Sequence, residues 1–301
     1  LPSPMALVGP GPVQPVESLI RVEETAYEPG GHIYLTALRV SLQPRLGQYL
    51  LAPLQPDVRM VPKSAVAPAS LASEEYRKLS QRLLQESQTI AQIVAMRQAG
   101  YTIRPGSSEV TVVSVLPGIT STASLEAGDV IEAANGEDIS TVAELVSIVH
   151  SRVDGEPISL RLRRSGRRQT VTVPAICGPI DTEAPVMGVV AVTKGLEFRA
   201  PVEITIEPGP LRGGPSGGLI YALGIYNALI TEDITRGHKI AGTGTLRLNG
   251  TVGPTAGVEI KVRAAEAAGV EYFLVPSEDS DAARAAAQQM KIIPVHTFQE
   301  A

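Results

Sequence analysis

The sequence predicts a mixed chain: a small β-rich domain of α+β type in the middle and a larger α/β domain at the end. Three observations carry this. Two alternating runs, 158–162 and 169–173, flank a Ser165-Gly166 turn, the pattern of an antiparallel hairpin. A strand-like run at 202–207 passes through Gly213-Gly214-Pro215-Ser216-Gly217-Gly218 into an apolar helical segment, 219–230. An Ala-rich helical stretch from about 259 to 268 then precedes a short strand, 272–275. With 301 residues, 44% of them hydrophobic, the chain can form two domains with real cores. Three Phe and no Trp mean those cores are aliphatic.

In chain order, residues 1–16 are rich in Pro and Gly and read as an extended lead-in. Residues 32–41 favour a strand, and Pro-rich loops occupy 53–68. Ser73, with Glu74 and Glu75 behind it, is an N-cap signal for a long helix that Gly100 can end. Leu79, Leu83, Ile90, Ile93 and Met96 recur along it near helical spacing. A strand at 110–115 follows. Then come Ala127-Gly128-Asp129-Val130-Ile131, the turn pair Asn135-Gly136, a short helix at 143–149 and the hairpin. From 186 the pattern becomes α/β, with strand runs at 186–193 and 202–207, a strand-turn region at 239–253 and a last helix at 280–289. The expected domains are 1–100, a strand and helix region packing on the last domain; 101–178, β-rich; and 179–301.

Composition narrows the function. A net charge of −5 argues against a nucleic-acid-binding surface. The one basic run, Arg161 to Arg168, alternates with strand residues and reads as a solvated hairpin. Cys177 is the single cysteine, so no internal disulfide forms, and a small buried hydrophobe is its expected role. Four scattered His and one thiol offer no metal cluster, and no cofactor is expected. No run of 18 apolar residues occurs. The start, Leu1-Pro2-Ser3-Pro4-Met5, shows neither a signal peptide nor an initiator Met and reads as a trimmed beginning.

Ser216 stands between a strand and a helix, in a turn whose glycines let backbone approach a ligand closely. Free N–H groups at a helix start can stabilise an oxyanion, which is what an acyl-transfer nucleophile needs. Anion binding and a plain N-cap serine remain rival readings of the turn alone, although neither the Walker nor the Rossmann glycine pattern is met. No His of the four sits in a triad motif. Lys261, in the apolar stretch Val258-Glu259-Ile260-Lys261-Val262, is the alternative base, because burial can lower an amine's pKa.

These motifs together resemble the proteolytic domain of the Lon family. Gly214-Pro215-Ser216-Gly217-Gly218, Thr243-Gly244-Thr245-Leu246 and Ala256-Gly257-Val258-Glu259-Ile260-Lys261 before Ala264-Ala265 match that family in order and approximate spacing. The resemblance implies Ser216 as nucleophile, Lys261 as general base and Thr243 as a hydroxyl that orients the lysine. Gly214, Pro215 and Gly217 would shape the oxyanion turn. Gly217 replaces Ala and Ala256 replaces Gly, and Gly213 stands where some members carry Asp, so no Asp role carries over. Leu125 to Ile131 and Asn135-Gly136 resemble PDZ domains, with Gly128, Asp129, Ile131, Asn135 and Gly136 as the matching residues. PDZ domains capture peptide C-termini as an added strand, with Gly100–Ile103 the expected carboxylate loop here.

The expected fold is therefore a Lon-type proteolytic domain preceded by a PDZ domain, as in PDZ-containing Lon-like proteases of bacteria. The likeness covers nearly the whole chain, weakly before residue 70, and is helped by Gln85-Glu86-Ser87-Gln88 with Ala91, Ala95 and Gly100-Tyr101. With no Walker motif, an ATP-independent serine endopeptidase for unfolded or tail-recognised polypeptides is expected. The alternative is a non-catalytic PDZ scaffold or chaperone on an inactive protease fold. The resemblance further implies a homo-oligomer, a hexamer by analogy, on the extracytoplasmic face of a bacterial membrane behind an N-terminal helix, with a cytoplasmic location as the alternative.

Overall fold

The computed structural model describes the chain except residues 1–4, 24–29, 56, 64–72, 104–105, 116–123, 178–184 and 210–213. Two compact units emerge: Leu1–Val61, Leu83–Arg104 and Phe198–Ala301 form the first, and Pro62–Arg82 with Pro105–Glu197 the second. The chain opens with β1 (Met5–Pro15), β2 (Ile20–Val22), β3 (His32–Ser41), helix α1 (Leu46–Leu51) and β4 (Arg59–Pro62). The long helix α2 (Ser73–Gln98) buries Ile90, Ile93 and Met96 completely. Gly213 and the side chain of Ser73 lie outside the described residues.

The second unit contains β5 (Glu109–Val115), β6 (Val130–Ala134), β7 (Glu137–Asp138), α3 (Val142–His150), β8 (Pro157–Arg164), β9 (Arg167–Pro174), β10 (Ile176–Cys177), β11 (Pro185–Val186) and β12 (Val189–Lys194). Its main sheet has the order β12-β5-β6-β8-β9, with β7 paired to β6. Along β8 the alternation is strict: Ile158, Leu160 and Leu162 are fully buried, while Ser159 and Arg161 face water. The basic run pairs with carboxylates across strands, Arg163 with Glu109 at 2.9 Å and Arg168 with Glu132 at 2.8 Å. It is a solvated ion-pair face rather than a free cationic patch. Helix α3 starts in a capping box, with Thr141 Oγ1 accepting from the Glu144 amide and Glu144 Oε2 accepting from the Thr141 amide. Its Val142 amide donates to Thr193 Oγ1 of β12 at 2.9 Å. The run 186–193 was expected in the last domain; instead β12 pairs antiparallel with β5, Thr193 opposite Val110. An edge position beside β5 buries Val190 and Val192, which the strand run alone could not assign.

The chain returns to the first unit through β13 (Ile204–Ile206), α4 (Gly218–Leu229), β14 (Lys239–Gly242), β15 (Thr245–Leu246), β16 (Val252–Gly253), α5 (Val258–Ala267), β17 (Tyr272–Pro276), α6 (Ser280–Ala286) and β18 (Lys291–Val295). A six-stranded sheet has the order β18-β17-β14-β3-β1-β4. β14 runs parallel to both β17 and β3, and β18 parallel to β17, whereas β1 is antiparallel to β3. Within the expected lead-in 1–16, Met5–Pro15 is thus a strand. Its Pro and Gly disguise it, and the register shifts between Pro10 and Val13, as a bulge requires. The last helix, expected over 280–289, ends at Ala286, and the β-branched stretch after it, Lys291–Val295, pairs with β17 as β18.

Helices cover both faces of this sheet. Ala241 packs with Val258 and Val262 of α5 and Ala283 and Ala286 of α6. The next residue, Gly242, points the other way: a Cβ there would lie 2.8 Å from Ile220 of α4. Helix α4 is apolar on all sides because it is buried all round, from Leu219 to Ile225.

Candidate active site

The sheet's parallel strands end where the motif residues meet, the place where open α/β sheets bind ligands. β14 stops at Gly242, and Thr243 follows with its amide donating to Leu274 O of β17 at 3.0 Å. Gly244 then donates to Ser216 O at 2.9 Å, and Leu219 donates back to Gly244 O at 3.2 Å. The strand end therefore clamps the turn that carries Ser216. Gly217 is the N-cap of α4, so Ser216 stands immediately before the helix and is half-buried. The amides of Gly218 and Leu219 are already taken by Pro215 O and Gly244 O. Pro215 has no N–H. Among the described residues of the turn, the Gly214, Ser216 and Gly217 amides donate to no backbone acceptor, and those of Ser216 and Gly217 stand at the helix start where an oxyanion could be received.

Lys261 lies one turn into α5, its amide donating to Gly257 O at 3.2 Å. It is 2% exposed, and its helix neighbours Val258, Ile260 and Val262 are buried as well. Burial pushes its amine down to about 8, against the opposing pull of the Asp279 carboxylate. Lys261 Nζ donates to Thr243 Oγ1 at 2.9 Å, and Thr243 Oγ1 donates to Ser216 O at 3.1 Å. One buried hydroxyl thus joins the lysine to the backbone of the serine. Ser216, Thr243 and Lys261 come from three separate elements and are brought together at one strand end.

Three further residues at the site carried no sequence signal of such a role. Ser87 of α2, 5% exposed, donates to Pro215 O at 3.0 Å and so pins the residue before Ser216. A Cβ on Gly218 would come within 2.8 Å of Ser87 Oγ, so glycine is what lets α2 approach the turn. Thr255 Oγ1 lies 3.2 Å from Thr243 Oγ1, and its amide donates to Asp279 Oδ2 at 2.8 Å. Asp279, beyond β17, is pushed up to about 6 by burial, with Lys261 and the Thr255 amide acting the other way. These contacts join positions far apart in sequence, which no local pattern encodes. His238 is ruled out as a neighbour of Ser216. It precedes β14 at the opposite strand end and pairs, exposed, with Glu271 at 2.8 Å.

In the second unit, Asp129 is buried and receives both Arg164 Nε and Nη2 at 2.7 Å. Burial alone would raise its carboxyl, but Arg164 and the Glu126 amide hold it below the usual value. Gly128 has φ +96, Ile131 is in the core, and Asn135-Gly136 turn with φ 50 and 85 into β7. Gly100–Ile103 does not belong to this unit. It lies in the first, where Arg97 holds Ile103 O at 3.2 Å and reaches Leu248 O at 3.1 Å. Of the amides that a carboxylate loop would offer, those of Gly100 and Tyr101 donate to Arg97 O at 3.0 Å and Met96 O at 2.9 Å. No group of three potential metal ligands occurs among the described residues. No helix among them is long and apolar enough to cross a membrane. The side chain of Cys177 lies outside the described residues.

Two regions of the chain match known families. Residues 93–175 match the family model of the PDZ domain, and residues 200–301 that of the Lon protease (S16) C-terminal proteolytic domain. The chain therefore combines a PDZ domain with a Lon-type proteolytic domain that follows it, the arrangement of a PDZ-containing Lon-like protease. It is similar to Lon protease 2 of Bacillus subtilis (strain 168), 38% identical over 99 residues, or 33% of this chain and 18% of that protein. A Lon protease of Methanosarcina barkeri is 30% identical over 93 residues, 30% of this chain and 11% of that protein. The matches thus span less than a fifth of either relative. Among solved structures, the PDZ domain of an SdrC-like protein from Listeria monocytogenes is similar at 20% identity and a TM-score of 0.26, over 28% of this chain and 86% of that one.

Proposed function

We propose that this chain is a serine endopeptidase working through Ser216 and Lys261 without ATP, on unfolded polypeptides. The observation that carries the proposal is the buried lysine amine, hydrogen-bonded to the one hydroxyl that also holds the Ser216 backbone. A lysine serves as base only when neutral, and burial supplies that neutrality closer to physiological pH. In the reaction, Ser216 Oγ attacks the peptide carbonyl carbon while its proton passes to Lys261 Nζ. The carbonyl oxygen becomes an oxyanion facing the Ser216 and Gly217 amides. As the C–N bond breaks, Lys261 returns the proton to the departing amine, leaving an ester on Ser216. Water, deprotonated in its turn by Lys261, then cleaves the ester and restores the serine. Thr243 aims the amine without adding charge.

The PDZ domain fits a role in taking up substrate tails or gating access to the protease. A homo-oligomer, with six copies as the working number, rests on the Lon likeness alone. The test is hydrolysis of casein and of a labelled peptide by wild type and by Ser216→Ala. The variant should fold normally and lose activity by at least about 100-fold. Undiminished hydrolysis in Ser216→Ala would refute the proposal.

A further inference from the structure

We propose that Asp279 is a positioning residue of the Ser216–Lys261 pair, which anchors the two-threonine bridge to the lysine and, while ionised, retains the proton on it. Asp279 would then set the pH at which the base becomes available. The inference deepens the peptidase reading and rests on it.

Asp279 occupies the N-cap position of α6, where an Asp normally accepts the first free amides of its helix, yet it makes no such bond. Its carboxylate accepts instead from the Thr255 amide at 2.8 Å, in the loop just before α5. Thr255 Oγ1 meets Thr243 Oγ1 at 3.2 Å, and Thr243 Oγ1 accepts from Lys261 Nζ at 2.9 Å. A chain of contacts thus leads from Asp279 through both threonines to the lysine.

Charge acts beside this chain. The groups that face Asp279 electrostatically are Lys261 and Glu259 of α5 and Glu278 of its own turn. Glu259 has a cation of its own, Arg59 at 3.5 Å. Lys261 is the only cation among those groups. Its amine titrates at about 8 and the Asp279 carboxyl at about 6. Between those values the lysine is protonated and the aspartate ionised, so the base is occupied. An anion beside an ammonium favours the protonated form, and removing it lowers the amine's pKa further. The aspartate therefore acts as a brake at neutral pH, released as the lysine deprotonates.

The test uses the full chain. The pH profile of kcat/KM for peptide hydrolysis is measured for wild type and Asp279→Asn. The Lys261 amine is titrated directly by NMR in Ser216→Ala and in Ser216→Ala with Asp279→Asn. The asparagine carbonyl can still accept from the Thr255 amide, so the bridge survives while the charge goes. Asp279→Asn should move the basic limb and the amine midpoint down by roughly half a unit or more. That shift makes kcat/KM at pH 7 about threefold higher or more. A limb and midpoint unmoved from wild type, with or without a fall in rate, would reduce Asp279 to a structural residue and overturn the inference. Failure of the peptidase reading is separate: it would show as hydrolysis surviving Ser216→Ala, whereas the NMR titration reports on Asp279 and Lys261 without turnover.

Discussion

A buried lysine is an unusual residue for the start of a helix, and its burial has an energetic cost. Lys261 is among the largest fully buried side chains of the protein, and its amine hydrogen-bonds to a neutral hydroxyl. Burial of a charge without a tight ion pair is unfavourable, so the group shifts toward neutrality. We expect kcat/KM to rise with pH along a single limb centred near about 8, rather than near the ordinary lysine value of 10.5. Lys261→Arg should lose at least about 100-fold in rate, because a guanidinium stays protonated. Lys261→Met, similar in volume, should be equally inactive but more stable than wild type at pH 7, by about 1–3 kcal/mol in urea unfolding. The sign follows from linkage: the unfolded lysine holds its proton up to 10.5 and the folded one only to about 8. Wild-type stability should therefore climb across that interval and close the gap to the Met variant. Equal stability of the two proteins at pH 7 would contradict a strained amine.

The elements divide the work of holding the site. The parallel strand β14 delivers Thr243 at its carboxyl end, α4 begins at the Ser216 turn, and α5 inserts the lysine from the opposite face. Helix α2 adds Ser87 behind Pro215. In the second unit one ion pair plays a comparable part. Asp129 ties the turn before β6 to the end of β8 through Arg164, with its side chain wholly out of water. Removing Asp129 deletes charge-assisted hydrogen bonds, but Arg164 is a quarter exposed and keeps Glu126 at 2.7 Å, so the cost is about 1–3 kcal/mol. Asp129→Ala should lower the urea midpoint of the second unit accordingly, while Asp138→Ala, whose partner Arg161 is half-exposed, should change it little. Because the folded Asp129 carboxyl is held below 3.8, its stabilisation is present above that value. It should fade as the pH falls through the folded pKa below it, visible as a steeper acid limb in wild type than in the Ala variant.

At the scale of the whole molecule, the two units are distinct contact clusters, one carrying the proposed dyad and one the PDZ features. No Walker pattern occurs in the 301 residues, in keeping with the proposal that cleavage proceeds without ATP. Cleavage should then be limited by how unfolded the substrate already is. Casein should be cut at the same rate with and without ATP and magnesium ions, and a stable folded protein should resist. A rate that rises severalfold on adding ATP would show that this expectation is wrong.

The sequence by itself determined the chemistry on offer. The glycine-rich turn around Ser216, the apolar stretch around Lys261, the strand alternation of 158–173 and the Gly128-Asp129 turn are all local patterns, and each forms the element it predicts. Hydrophobic period and turn chemistry act over a few residues, so a single stretch of chain displays them. Tertiary structure alone decided the rest. It made a strand of the Pro-rich β1 and gave β12 to the second unit beside β5. It also brought Ser87 to Pro215, 128 positions later, and Asp279 to Thr255. Those outcomes depend on which distant surface covers a strand edge or accepts a buried hydrogen bond. That competition is settled by packing across the fold, and the residues involved carry no local mark of it.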